Sequence, residues 1–265
     1  MLRGYVIAYL VFLYAPILLL PLFAFNASTI IAFPLDGFTT SWFAELWTVD
    51  ALHAALANSL FIAVLSAVFA TLLGLAAARA AAKYKFPGQR SLTGLIMLPL
   101  ILPEIIVAVA LLVVVIQVMG WPLSRWTIIA AHTLICIPFS VAILNGAFRN
   151  LDAALEEAAV DLGETRWSAF QRVTLPLIAP GIIASLLIGF TISLDEFIIA
   201  SFLSGAEPTL PVYIWGLLRF PARLPVVMAL GTRLVLAAVA LLALAEVLRR
   251  RGVARAGLQD KGGFL

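Results

Sequence analysis

The chain has 265 residues, of which 63% are hydrophobic and only 12% charged, and its mean hydropathy is +1.10. Soluble domains are roughly 45–50% apolar and about 25% charged, so soluble cores are excluded and a single domain of packed membrane spans is the simplest organisation for this length. Cys136 is the only cysteine, which excludes an internal disulfide framework and a cysteine-based zinc site; the net charge of +3 comes from basic residues placed between apolar runs, a pattern that sets membrane topology and speaks against nucleic acid as a partner.

A membrane helix needs about 20 mostly apolar residues. Six runs meet that length, at approximately 5–25, 55–79, 93–118, 126–147, 178–200 and 226–248, and predict an all-α integral membrane protein with six transmembrane helices. The first follows Met1-Leu2-Arg3, is longer than the apolar part of a signal peptide and precedes no small-x-small cleavage site, so it reads as a retained span. The segment 26–54 has no basic residue and carries Phe38, Trp42, Phe43, Leu46 and Trp47. Indole rings favour the membrane interface, which predicts an interfacial helix, with a role lining an entrance as the sharper alternative.

The second run is rich in small residues, Ala76 to Ala78 and Ala80 to Ala82, which allow close helix contact. Pro99 and Pro103 interrupt the third run and Pro138 the fourth, and prolines free backbone carbonyls and create kinks. The segment 201–225 carries Gly205, Pro208, Pro211, Pro221 and Pro225 around a short apolar stretch, predicting a short outer helix or re-entrant cap. The tail from Arg249 is basic and reads as a solvated end. With the N-terminus inside, thirteen of the 17 lysines and arginines fall on the inner side, so both termini and the polar segment 149–177 are expected in the cytoplasm.

That segment is the longest polar interval in the chain. Within it Leu155, Ala158, Ala159 and Leu162 share one helical face, while Glu156, Glu157, Asp161 and Glu164 point elsewhere. Gly163 lets the chain turn, a second short helix presents Trp167, Phe170 and Val173, and Pro176 suits the first turn of the fifth span. The expected result is helix, hinge, helix and membrane entry, with an apolar stripe facing out of the lipid.

Glu157-Ala158-Ala159, three residues, Gly163, nine residues, then Val173-Thr174-Leu175-Pro176 resembles the signature of inner-membrane subunits of binding-protein-dependent ABC importers, with valine where the family has isoleucine. The resemblance implies a type I importer permease of a bacterial inner membrane. In such importers this segment is a cytoplasmic coupling helix seated in a groove of the ATP-binding subunit, here through Glu157, Ala158, Ala159, Asp161, Gly163, Trp167, Phe170, Leu175 and Pro176. Helix-in-groove recognition suits a small apolar ridge flanked by charges. Gly163 and Pro176 would pass a nucleotide-driven movement to the fifth span. The chain has no G-x-x-x-x-G-K-[ST] phosphate loop, so it is expected to be non-catalytic and to bind no cofactor. ATP and Mg would be used by a separate ATPase. The implied assembly joins a homologous permease, a heterodimer being favoured, with two ATP-binding cassette subunits, a periplasmic substrate-binding protein and membrane lipid, and works by alternating access.

An ionised side chain at membrane depth costs at least about 2.5–3.5 kcal/mol, which marks it as a functional candidate. Glu104 in the third run and Asp195 with Glu196 in the fifth qualify. One reading is a path for a positively charged solute; the other is that they bond backbone freed by Pro103 or pair with Arg233 between subunits. Adjacent acids point about 100° apart on a helix, so Asp195 and Glu196 share one face only if the helix unwinds there. The surroundings, Leu98-Pro99 to Pro103-Glu104 and Ser193-Leu194-Asp195-Glu196, are similar to those of spermidine/putrescine importer permeases, with Glu196 where that subfamily has aspartate. The resemblance implies a pathway including Trp42, Glu104, Ser193, Asp195 and Glu196. Permeation of ferric iron, an opine or an amino-acid derivative, or an ion-coupled carrier or channel, are the alternatives. His132 lies in an apolar run without a metal-spaced partner, His53 flanks a run, and Glu246 reaches water at the inner end of the sixth; no catalytic or metal-ligating set is assigned.

Overall fold

Within a bilayer a span must satisfy its own backbone, which an α-helix does. The computed structural model describes residues 2–85 and 87–255, without the side chains of Leu2, Ala153 and 241–255. The side chains of Glu246 and the tail from Arg249, and everything after Arg255, lie outside the described residues. In chain order the helices are α1 (Leu2–Ala24), α2 (Ser41–Glu45), α3 (Asp50–Lys83), α4 (Gln89–Met97) and α5 (Glu104–Val113). There follow α6 (Arg125–Arg149), α7 (Ala153–Asp161), α8 (Arg166–Ala169), α9 (Leu175–Asp195), α10 (Ile198–Leu203), α11 (Leu210–Leu217) and α12 (Leu224–Arg255).

Among the described residues, five helical stretches are long and apolar enough to cross a membrane, and the pair α4 and α5 supplies a sixth if counted as one broken span. That pair is the third run at 93–118, and the interruption expected from Pro99 and Pro103 is a full break rather than a kink. A tight turn at Leu98–Leu100 holds Pro99, Pro103 caps α5 in an extended conformation, and the two halves bend by 101°. Proline removes the N–H that would continue the ladder and clashes with the preceding turn. Pro138, by contrast, stays inside an unbroken α6, fully buried, where neighbouring helices hold it.

The fifth span also differs from 178–200. Its helix begins at Arg166 and passes through a wide turn at Phe170–Thr174, where the Leu175 N–H bonds the Phe170 carbonyl, five residues back. Pro176 therefore lies within a continuous helix rather than starting a new one, and the widened turn admits a ring with no N–H to give. The helix stops at Asp195, Glu196 is extended, and α10 begins at Ile198.

The chain forms two compact units. One combines Met1–Asp50 with Ile214–Leu265. There α1 and α2 pack along α12, and the loop after α1 is organised by buried Asn26, whose amide oxygen accepts from the Asp36 N–H at 3.1 Å. Glu45 pairs with Arg223 at 2.6 Å, and the Arg233 guanidinium stacks 4.0 Å above the Trp47 ring.

The other unit, Ala51–Tyr213, holds a core in which Ile62, Val107, Ala108, Ile128, Ile199 and Leu203 join α3, α5, α6 and α10. Close approach along α3 falls mainly to Ala63, Ala67, Ala70, Gly74 and Ala78; of the run Ala76 to Ala78 and Ala80 to Ala82, only Ala78 is fully buried. A Cβ on Gly74 would lie 2.6 Å from that of Ser140 in α6, and Gly189 of α9 lies against Ala67.

Candidate functional site

The segment 149–177 builds its geometry from local signals. Asp152 caps α7 by accepting the Ala154 N–H at 3.0 Å, and Thr165 caps α8 by accepting from Ser168 at 3.2 Å. Between them Gly163 has φ +96°. The Glu164 N–H bonds the Ala159 carbonyl and the Gly163 N–H bonds that of Val160, the paired bonds of a Schellman stop. The glycine six residues after Glu157 is thus the left-handed residue that ends α7, and Ala159 receives the returning bond.

The large apolar side chains left uncovered between α7 and α8 inclusive are Leu155, Val160, Leu162 and Trp167, with Leu162 87% and Trp167 61% exposed. Ala158 is exposed and Ala159 half-buried. Phe170, expected on the presented stripe, is instead buried: its ring stacks on Trp167 at 5.6 Å and lies 3.6 Å beneath the Arg79 guanidinium. Leu175 is half-buried and Pro176 exposed. Glu157 and Asp161 line a cleft of about 510 Å³ together with Arg79, Lys83 and Arg166.

Glu156 binds this segment to α3. One carboxylate oxygen pairs with Lys83 and the other accepts from the Thr174 hydroxyl at 3.0 Å. Burial pushes the Glu156 carboxyl up, but the Lys83 and Thr174 hydrogen bonds and the charges of Lys83 and Arg79 outweigh it, leaving it below its ordinary value. Glu164 is likewise held low, by the Ser168 hydrogen bond and the neighbouring Arg172, whose guanidinium lies 2.7 Å away.

The second constellation surrounds the break after α9. Asp195 is exposed at the last residue of that helix, while Glu196 turns inward and is buried. Its two oxygens accept the Ile199 and Ala200 N–H groups at 2.7 and 2.8 Å, satisfying the start of α10. His132 Nε2 lies 3.1 Å from Glu196 Oε2, off the line of a good hydrogen bond, and His132 Nδ1 is joined to Ser193 Oγ at 2.8 Å. One fully buried imidazole on α6 therefore holds the chain on both sides of Asp195. Glu104 is exposed in the first turn of α5. Trp42 belongs to the other unit, half-buried, its indole N–H donating to the Asn26 carbonyl at 2.8 Å.

The family of binding-protein-dependent transport system inner membrane components matches residues 70–252. The chain belongs to that family. The permease is 37% identical over 260 residues to the putrescine transport system permease protein PotI of Escherichia coli K12, with 92% of each chain covered. It is 32% identical over 248 residues to the spermidine/putrescine transport system permease protein PotC of the same strain, with 93% of each covered. Its fold is similar to a bacterial alginate ABC transporter solved with an alginate pentasaccharide-bound periplasmic protein, at a TM-score of 0.73, 24% identity and 95% and 93% coverage. The permease is thus an all-helical, multi-pass, non-catalytic inner-membrane subunit of a bacterial ABC importer, a system that includes an ATPase and a periplasmic binding protein.

Two groups of residues escaped the reading of the sequence. His132 lies 61 residues from Ser193 and looked like a core histidine, and Arg79 and Lys83 looked like topology signals. A helical spacing was available for the first: His132, Cys136 and Ser140 lie at i, i+4 and i+8, as do Ser185, Gly189 and Ser193 in the helix packed against them.

Proposed function

We propose that this permease carries a polyamine such as putrescine or spermidine, paired with a homologous permease in a heterodimer above two ATP-binding cassette subunits. The observation that carries the cargo is its likeness to PotI over 92% of both chains. Asp195 and Glu104, the acids left exposed near the breaks in the fifth and third spans, supply the negative charge that compensates a desolvated ammonium. Trp42 lines the entrance. Ser193 and Glu196 shape the path from behind, since their polar atoms are engaged by His132 and the start of α10.

Both termini and the 149–177 segment face the cytoplasm. There α7 and Trp167 dock on the ATPase, with Leu155, Leu162 and Trp167 entering its groove and Glu157, Ala158, Ala159, Asp161 and Gly163 setting the register. Phe170, Leu175 and Pro176 lie behind that face and carry its load into α9. ATP and Mg bind to the partner subunits, whose closure opens the pathway toward the docked binding protein. Either ligand drives the cycle only through different affinities for the two states.

Uptake of labelled putrescine by vesicles holding the complete importer tests the cargo, and ATPase co-purification tests the dock. Asp195→Asn and Glu104→Gln are expected to slow uptake at least tenfold, and Trp167→Ala to release the ATPase. Unchanged putrescine uptake in both acid variants counts against the cation path; an ATPase retained by Trp167→Ala counts against the dock.

A further inference from the structure

Three long helices meet the 149–177 segment: α6 runs into it at Arg149, and the other two differ mechanically. The one continuous with it, α9, ends at Asp195 and is followed by extended chain. A helix interrupted in this way bends at the break when loaded along its axis. The other, α3, is unbroken for 34 residues.

At one end α3 grips the segment from two successive turns. Lys83 pairs with Glu156, which also holds the Thr174 hydroxyl, and Arg79 covers the Phe170 ring at 3.6 Å. The other end is gripped as firmly. The Asn58 amide donates to the Glu207 and Pro208 carbonyls at 2.9 and 3.3 Å, and the buried Ser59 hydroxyl accepts the Leu210 N–H at 2.7 Å. The twenty steps from Ser59 to Arg79 rise about 30 Å, the thickness of a bilayer's hydrocarbon core. Between the grips α3 is braced laterally: Ser66 bonds the Ile129 carbonyl, Gly74 abuts Ser140, and Thr71 is joined to Ser185 at 2.9 Å. Packed interiors are stiff and transmit displacement.

We propose that α3 is the transmission element of this permease, tying movement of the 149–177 segment to the 207–210 segment at the opposite membrane face, with Lys83 and Arg79 as one grip and Asn58 and Ser59 as the other. It deepens the reading of 149–177 as the ATPase dock and rests on it. Load passes along the continuous helix, while the break after Asp195 leaves the fifth span free to change shape around the pathway.

The experiment uses the complete importer in vesicles and reads how far its binding protein stimulates ATP hydrolysis. Lys83→Glu is expected to cut that stimulation at least fivefold with the ATPase still bound and unstimulated hydrolysis within twofold of the parent. The exchanged pair Lys83→Glu with Glu156→Lys should restore stimulation to within twofold, which also separates lost transmission from misfolding. Asn58→Ala, or the milder Ser59→Ala, should reproduce the loss, and adding either to Lys83→Glu should deepen it no further, as for residues acting in one chain of contacts. Normal stimulation in Lys83→Glu, failure of the exchanged pair, losses that multiply, or release of the ATPase by Lys83→Glu would each overturn the proposal. Failure of the docking reading looks different, because Trp167→Ala would then keep its ATPase.

Discussion

At Gly74 there is no space for one more carbon. A Cβ there would meet Ser140 Cβ at 2.6 Å and the Ser140 and Val141 backbone at 3.1 and 3.2 Å, so two helices would have to separate. Overpacking of this kind costs about 1–3 kcal/mol. Gly74→Ala is expected to lower the melting temperature of the detergent-solubilised permease, whereas Gly94→Ala, with open space around it, should leave it unchanged or raise it slightly; equal melting of the two would refute the contact. Small residues on α3 were legible as a packing surface, but the ones that touch were not, because composition says nothing about which side of a helix a neighbour occupies. His132 shows the same gap at a polar site. A buried carboxylate is tolerated when its lone pairs are used, and the Glu196 oxygens accept two N–H groups, with the His132 imidazole 3.1 Å from one of them. From the chain alone Glu196 and Asp195 were equals; the unwound residue between α9 and α10 makes one an inward anchor and the other an outward charge.

Among elements, the 149–177 segment was the most readable because its signals are local. An aspartate cap, a glycine at φ +96° and a threonine cap follow from residue chemistry within a few positions. What required the fold was its attachment: Lys83 is 73 residues from Glu156, and no spacing rule links them. That attachment carries a pH signature. A carboxyl held below its ordinary value of 4.5 stabilises the fold above that value, and the contribution is lost as pH falls through the lowered one. Lys83→Met should therefore melt earlier than the parent at neutral pH, by an amount corresponding to roughly 1 kcal/mol or less for a pair this exposed. The difference should persist to pH 5 and close as Glu156 protonates below pH 4.5. A difference independent of pH would assign the effect to lost packing of the lysine stem instead.

For the whole molecule, five of the six apolar runs fall, among the described residues, on helical stretches long and apolar enough to span, and the third falls on the bent pair α4 and α5; the break in the fifth run had no such signal. Pro99 and Pro103 announced one break; the other, at Glu196, has no proline or glycine beside it and arises from the side chain that holds it. The charge bias predicts an orientation, and the lone buried Cys136 makes it measurable, since an introduced cysteine reports by itself. Leu162→Cys should react with a membrane-impermeant maleimide only in inside-out vesicles, and Glu207→Cys only in right-side-out ones; the reverse pattern would invert the topology. The length of α3 has one more consequence. At about 1.5 Å per residue its 34 residues span roughly 51 Å, well beyond a hydrocarbon layer about 30 Å thick. A shaft with that much overhang can change its tilt without drawing Lys83 or Asp50 into lipid, so bilayers of different thickness are accommodated by leaning rather than by stretching or breaking the helix.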